Sequence, residues 1–301
     1  MIKNSILFLG VLFAINSYAQ NANPLKEPVY YSITDALAAK NVTQLNLRDR
    51  HYFNLPEELN NLKGLHFINL MGNNLAIWDD VLFNQTKLEV INMQGNNLKY
   101  ISKKISIFKS LINLNLSDNE ITGVPDEIEK LKKLKYLYLS ENMLTSVPGS
   151  IGKCSDLEVL ALNNNQLSYL PQDITGLKKL KTLHLGRNQF NEFDAEWIKL
   201  LSLQELNLEY NQLLNIPETI ASLRELKSLI ADHNKLSAVP IDISKLTNLE
   251  LLSLSHNNIK SLPSQISAMT GLKTLILTGN PISEQEREVI KKALPGCNVY
   301  F

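Results

Sequence analysis

Residues 134–154 read LKYLYLSENMLTSVPGSIGKC. Leu134, Leu137 and Leu139 lead to Asn142, followed by Leu144, Val147-Pro148, Ile151 and Cys154. The Leu137-Tyr138-Leu139 segment alternates apolar and variable residues, which is the pattern of a strand with one buried face. Asn142 stands where the chain must turn off that strand. Its short amide both donates and accepts, so it can satisfy turn backbone that burial would otherwise leave unpaired. Pro148 stops further strand pairing. Ile151 and the Cys154 slot, three apart, suit one or two helical turns.

The same frame runs through the chain with a fixed period of 23: Asn73, Asn96, Asn119, Asn142, Asn165, Asn188, Asn211, Asn234, Asn257 and Asn280, with Arg50 as an atypical first copy. Pro56, Pro125, Pro148, Pro171, Pro217, Pro240 and Pro263 direct most copies off the sheet. Such a period marks one supersecondary unit stacked on itself, in which each unit buries its apolar side against its neighbours.

The frame L-x-x-L-x-L-x-x-N-x-L resembles the leucine-rich-repeat family over residues 42–282, as eleven repeats. Its L-P-x-x-I continuation is similar to the 23-residue subtype of Ras-scaffold and plant Ras-group repeat proteins. The resemblance implies an α/β fold: a right-handed solenoid or horseshoe, with a parallel sheet on the concave face and short helical or 3-10 turns on the convex face.

The ends of such a stack need caps. Residues 20–41 are the expected N-terminal cap, with Ser32 opening a short helix to about Lys40. Residues 283–301 are the expected C-terminal cap. There Ser283-Glu284-Gln285-Glu286 reads as a capping box for a helix to about Leu294. Val289, Ile290 and Leu294 are expected to cover the last repeat, and Cys297, Val299 and Phe301 alternate as a closing strand. Asp79 and Asp194 replace the usual Pro and predict convex helices with Asp as N-cap.

Ahead of the repeats, Lys3 precedes an apolar run from Ile6 to Ile15, then Ser17-Tyr18-Ala19. This is the layout of a signal peptide over residues 1–19, and it predicts a secreted or periplasmic chain with no integral membrane segment after cleavage. Lys+Arg and Asp+Glu number 30 each in 301 residues. A net charge of zero gives no grip on phosphate backbones, so a nucleic-acid partner is not expected. The two cysteines, Cys154 and Cys297, lie six repeats apart, too far to bridge, and read as buried thiols.

No phosphate-binding glycine loop, Cys–His nucleophile pair or H-E-x-x-H occurs, so no enzyme and no cofactor is expected. The remaining signal is the variable face of the strands. Tyr136, Tyr138, His184, Arg187, Glu209, Tyr210, Asp232, His233 and His256 fall together on repeats five to ten. Exposed Tyr and Arg among mixed charges is the composition of an interface. Repeats two to four present Phe67, Asn69, Asn92, Asn113 and Asn115 instead. The expected function is an exported, monomeric module that binds a protein or peptide on its concave face. Two rival readings are a cell-surface adhesion or glycan-binding protein using Tyr136, Tyr138 and Tyr210, and a metal hydrolase at Asp232, His233 and His256. The two histidines are adjacent on one ladder, but a third ligand converging on them is not assured, and the pair is read as solvated.

Overall fold

The computed structural model describes residues 27–194 and 196–301. The expected signal segment, residues 1–19, lies outside the described residues. Among the described residues, one open parallel sheet of thirteen strands forms in sequence order. The strands are β1 (Val29–Tyr30), β2 (Gln44–Asn46), β3 (Phe67–Asn69), β4 (Val90–Asn92), β5 (Asn113–Asn115), β6 (Tyr136–Tyr138) and β7 (Val159–Ala161). They continue with β8 (Thr182–His184), β9 (Glu205–Asn207), β10 (Ser228–Ile230), β11 (Leu251–Ser253), β12 (Thr274–Ile276) and β13 (Asn298–Tyr300). Between repeats the register is one period: Leu137 faces Leu160, and Leu206 faces Leu229. The helices are α1 (Ile33–Ala38), α2 (Asp80–Phe83) and α3 (Glu284–Ala293). The fold is the expected α/β solenoid.

Burial follows the frame. Leu134, Leu137, Leu139, Leu144, Ile151 and Cys154 are all fully buried. Each of the seven framing prolines holds an extended backbone and immediately precedes a five-residue 3-10 turn, as Pro148 does for Gly149–Lys153. Asp79 caps α2 by accepting from the Val81 N–H. Asp194 accepts from the Glu196 N–H at 2.8 Å, but it leads into a 3-10 turn, Trp197–Lys199, and not into an α-helix. Trp197 is fully buried there, edge-on to Phe190 at 5.2 Å.

The asparagine ladder carries the stack. Asn165 Nδ2 donates to the carbonyls of Leu162, in its own repeat, and Leu139, in the one before, both at 3.0 Å. Its Oδ1 accepts from the Leu144 N–H at 3.0 Å. One amide therefore stitches two repeats, and the pattern recurs from Asn73 to Asn280. At the atypical first copy, the Arg50 guanidinium reaches outward and donates to the Tyr31 carbonyl at 2.6 Å.

Both ends are closed. Ser32 accepts from the Asp35 N–H at the start of α1, and β1 pairs with β2. Ser283 accepts from the Glu286 N–H. The reciprocal half of that capping box does not form, because Glu286 instead accepts from the Leu262 N–H in the preceding turn. Ile290 and Leu294 are buried under α3, while Val289 is 58% exposed. Residues four apart share a helix face, and Val289 sits one step off it. β13 pairs with β12 and is the last strand of the open sheet. Cys154 is buried, as expected, but Cys297 is only partly so.

Candidate functional site

The strongest cluster lies just past the strand ends, at the position before each ladder asparagine. The backbone there is left-handed in every repeat: Asp49, Gly72, Gly95, Asp118, Glu141, Asn164, Arg187, Tyr210, His233, His256 and Gly279 all have φ between +51° and +77°. Gly, Asp and Asn tolerate this conformation best. Repeat five places Glu141 there, and repeats seven to ten place Arg187, Tyr210, His233 and His256 consecutively, at a strain of about 1 kcal/mol or more each.

Stacked one repeat apart, these four planar groups form a continuous column. The Arg187 guanidinium lies 3.9 Å over the Tyr210 ring. Tyr210 and His233 stack at 4.1 Å with their planes 8° apart, and His233 and His256 at 4.3 Å and 15°. Gly279 ends the column; a Cβ there would stand 2.5 Å from the His256 ring. The faces of Tyr210 are thus covered on both sides, and the column offers its edges to solvent. Burial pushes the His233 imidazole down from its ordinary pKa; His256 and Arg187 add to that, while Asp232 and Glu209 oppose it.

The other expected residues are arranged around the column. Asp232 is taken up by the next repeat: Ser253 Oγ donates to both carboxylate oxygens, at 2.6 and 2.8 Å, and the Ser255 N–H donates at 2.6 Å. Burial raises its pKa, against the pull of those hydrogen bonds. Glu209 lies one row in from the column, with its Cγ 2.8 Å from where a Cβ on Gly186 would be, so Gly186 makes its room. His184, on β8, is half-buried, with its side chain 16% exposed, and desolvation lowers its pKa to about 4. Glu205 Oε2 is 3.9 Å from His184 Nε2, close enough to favour the imidazolium. Burial outweighs that attraction, since Glu205 is itself pushed up. Tyr136 and Tyr138 share β6, two strands from His184, and burial first, then Tyr136, drives the Tyr138 phenol up to about 12.

Two readings change. Asn69, Asn92, Asn113, Asn115 and Phe67 are buried, not presented, because equivalent side chains on successive strands cover one another. Ser253 and Ser255, which hold Asp232, were not singled out by sequence; two small hydroxyl residues in the row beside an acid were the available signal. Among the described residues, no group of three or more His, Cys, Asp or Glu is placed to hold a metal ion.

A family profile described as a leucine-rich repeat region matches residues 87–229, and a second, leucine rich repeat, matches residues 224–282. The chain is a leucine-rich-repeat protein. Among solved structures, this leucine-rich-repeat protein is similar to the plant peptide hormone receptor RGFR1 in complex with RGF2, at 29% identity and a TM-score of 0.72. That match covers 88% of this chain but 44% of the receptor, so the repeat protein spans less than half of its neighbour's length. It also resembles PEPR1-AtPEP1, at 27% identity and a TM-score of 0.63, over 76% of this chain and 37% of the other. An internalin, inlF, from Listeria monocytogenes shares the fold at 22% identity and a TM-score of 0.66, over 86% and 80% of the two chains. No curated protein matches the chain. No helix among the described residues is long and apolar enough to cross a membrane.

Proposed function

We propose that this repeat protein is an exported, non-enzymatic, monomeric binding module that takes a protein or peptide along repeats five to ten. Tyr136, Tyr138, His184, Arg187, Glu209, Tyr210, Asp232, His233 and His256 form or shape the contact surface. The observation that carries the reading is the column Arg187–Tyr210–His233–His256, built on a left-handed backbone where glycine would be easier. Strain kept by bulky side chains at neighbouring positions points to selection for what those side chains do. Stacking also fixes their rotamers before a partner arrives, which lowers the entropy cost of binding. The likeness to a peptide hormone receptor with its ligand bound supports a protein or peptide as that partner. Export rests on the layout of residues 1–19, and the domain division on a cap at residues 20–41, repeats over 42–282 and a cap at 283–301.

A sugar-stacking role has less support at Tyr210, whose ring faces are already occupied. The test is a pulldown from the chain's own milieu with the wild type beside a Tyr138→Ala, Arg187→Ala, Tyr210→Ala variant, both checked for folding by circular dichroism. A partner captured by the wild type alone supports the reading. A partner captured equally by both would move the site elsewhere on the molecule.

A further inference from the structure

We infer that the column Arg187–Tyr210–His233–His256 reads an acidic, extended segment of the partner, and that acid tightens the contact; this rests on the binding-module reading above. The column has spent its other polar and apolar capacity. Its ring faces cover one another. The backbone N–H groups of Arg187, Tyr210, His233 and His256 already donate to the carbonyls of Glu209, Asp232, Ser255 and Thr278, at 2.7–2.8 Å. Among the described residues, a row of edges remains free: a guanidinium, a phenol and two imidazoles. All four can donate hydrogen bonds, and no carboxylate interrupts the row. Such a row calls for acceptors, and best for anions.

Spacing narrows the ligand. Alternate side chains of an extended peptide lie about 7 Å apart on one face. The column advances in steps of 3.9, 4.1 and 4.3 Å. Two carboxylates separated by one residue would therefore fall at the Arg187–Tyr210 end and the His233–His256 end. Asp232, held by Ser253 and Ser255, and Glu209, one row in, flank the row and favour the His233 imidazolium without lying in the row of edges.

The pH dependence comes from the groups facing the imidazoles. Burial, His256 and Arg187 resist protonation of His233, while Asp232 and Glu209 favour it. An incoming carboxylate joins the second set. Binding then takes up protons, so affinity rises as pH falls through the imidazole range.

The test uses the full mature chain and poly-L-glutamate as probe, with poly-L-glutamine as the neutral control. The dissociation constant for poly-L-glutamate is expected to be about tenfold tighter at pH about 5.5 than at pH about 7.5. A His233→Gln, His256→Gln variant should lose that dependence, and the glutamine polymer should not bind. Binding that is equal at both pH values, or unchanged in the double variant, overturns the inference. Alginate binding more tightly than poly-L-glutamate overturns it too, by assigning the row to a glycan. Should the variant fold poorly, histidine resonances of the wild type decide: the His233 imidazole must titrate at higher pH with poly-L-glutamate than without. A natural partner captured with no pH dependence would sink this inference alone. Polyglutamate bound at the column, with no partner captured, would leave it standing and sink the wider reading.

Discussion

Asn165 is 8% exposed and makes its contacts with two repeats through a single amide. Asn165→Ala strands the Leu144 N–H, while the Leu139 and Leu162 carbonyls keep the amides of Asn142 and Asn188 as donors. A buried group left unpaired costs about 1–3 kcal/mol, so the variant should lose about 1–3 kcal/mol in urea unfolding. A loss below about 1 kcal/mol would mean that water replaces the amide and the ladder is not what joins the repeats. His184 makes a different claim. Its folded pKa is near 4 against an ordinary 6.5. Above pH 6.5 the group is neutral in both states and costs nothing. As pH falls from 6.5 toward 4, the unfolded chain takes up a proton that the folded chain refuses, and about 3 kcal/mol of stability drains away. His184→Gln should flatten that slope in denaturation midpoints measured across the window. An unchanged slope would place the acid sensitivity elsewhere.

The elements repeat these residue effects in rows. Gly279 closes the stacked column only because it lacks a side chain. Gly279→Ala adds strain at φ +77° and drives a methyl into the His256 ring. A cost of about 1–2 kcal/mol is expected, with part of it recovered when His256→Ala is added. Strict additivity of the two changes would show that ring and glycine are independent. The strands, the proline-led turns and the nine candidate side chains were legible in the sequence because the 23-residue frame assigns every position a side of the solenoid. The left-handed position was legible in principle, since Gly72, Gly95 and Gly279 share it with Asp49, Asp118 and Asn164. Contact within a row was not. Whether Tyr210 stacks on His233 or Asp232 turns to Ser253 depends on rotamers that periodicity does not set. The same limit hid the burial of Asn92 and Asn113, which the frame places on a variable face.

A solenoid holds together through nearest neighbours, so its ends matter more than their size implies. α3 covers the last repeat through Ile290, 1% exposed, and Leu294, 5% exposed, while β13 occupies the edge that β12 would otherwise show. Ile290→Asp puts a charge into that contact and should cost about 3 kcal/mol or more. Val289→Asp, one residue away on the outer side of the same helix, should be neutral within about 0.5 kcal/mol. The two variants carry the same added charge, so their difference isolates capping from electrostatics. In a one-dimensional stack the damage is graded. Hydrogen exchange in Ile290→Asp should quicken first in β12 and β11, and least in β2 to β6, because each repeat transmits the loss only to the next. Uniform acceleration along the whole sheet would instead mean that the repeats unfold as one unit, with the cap acting on global stability.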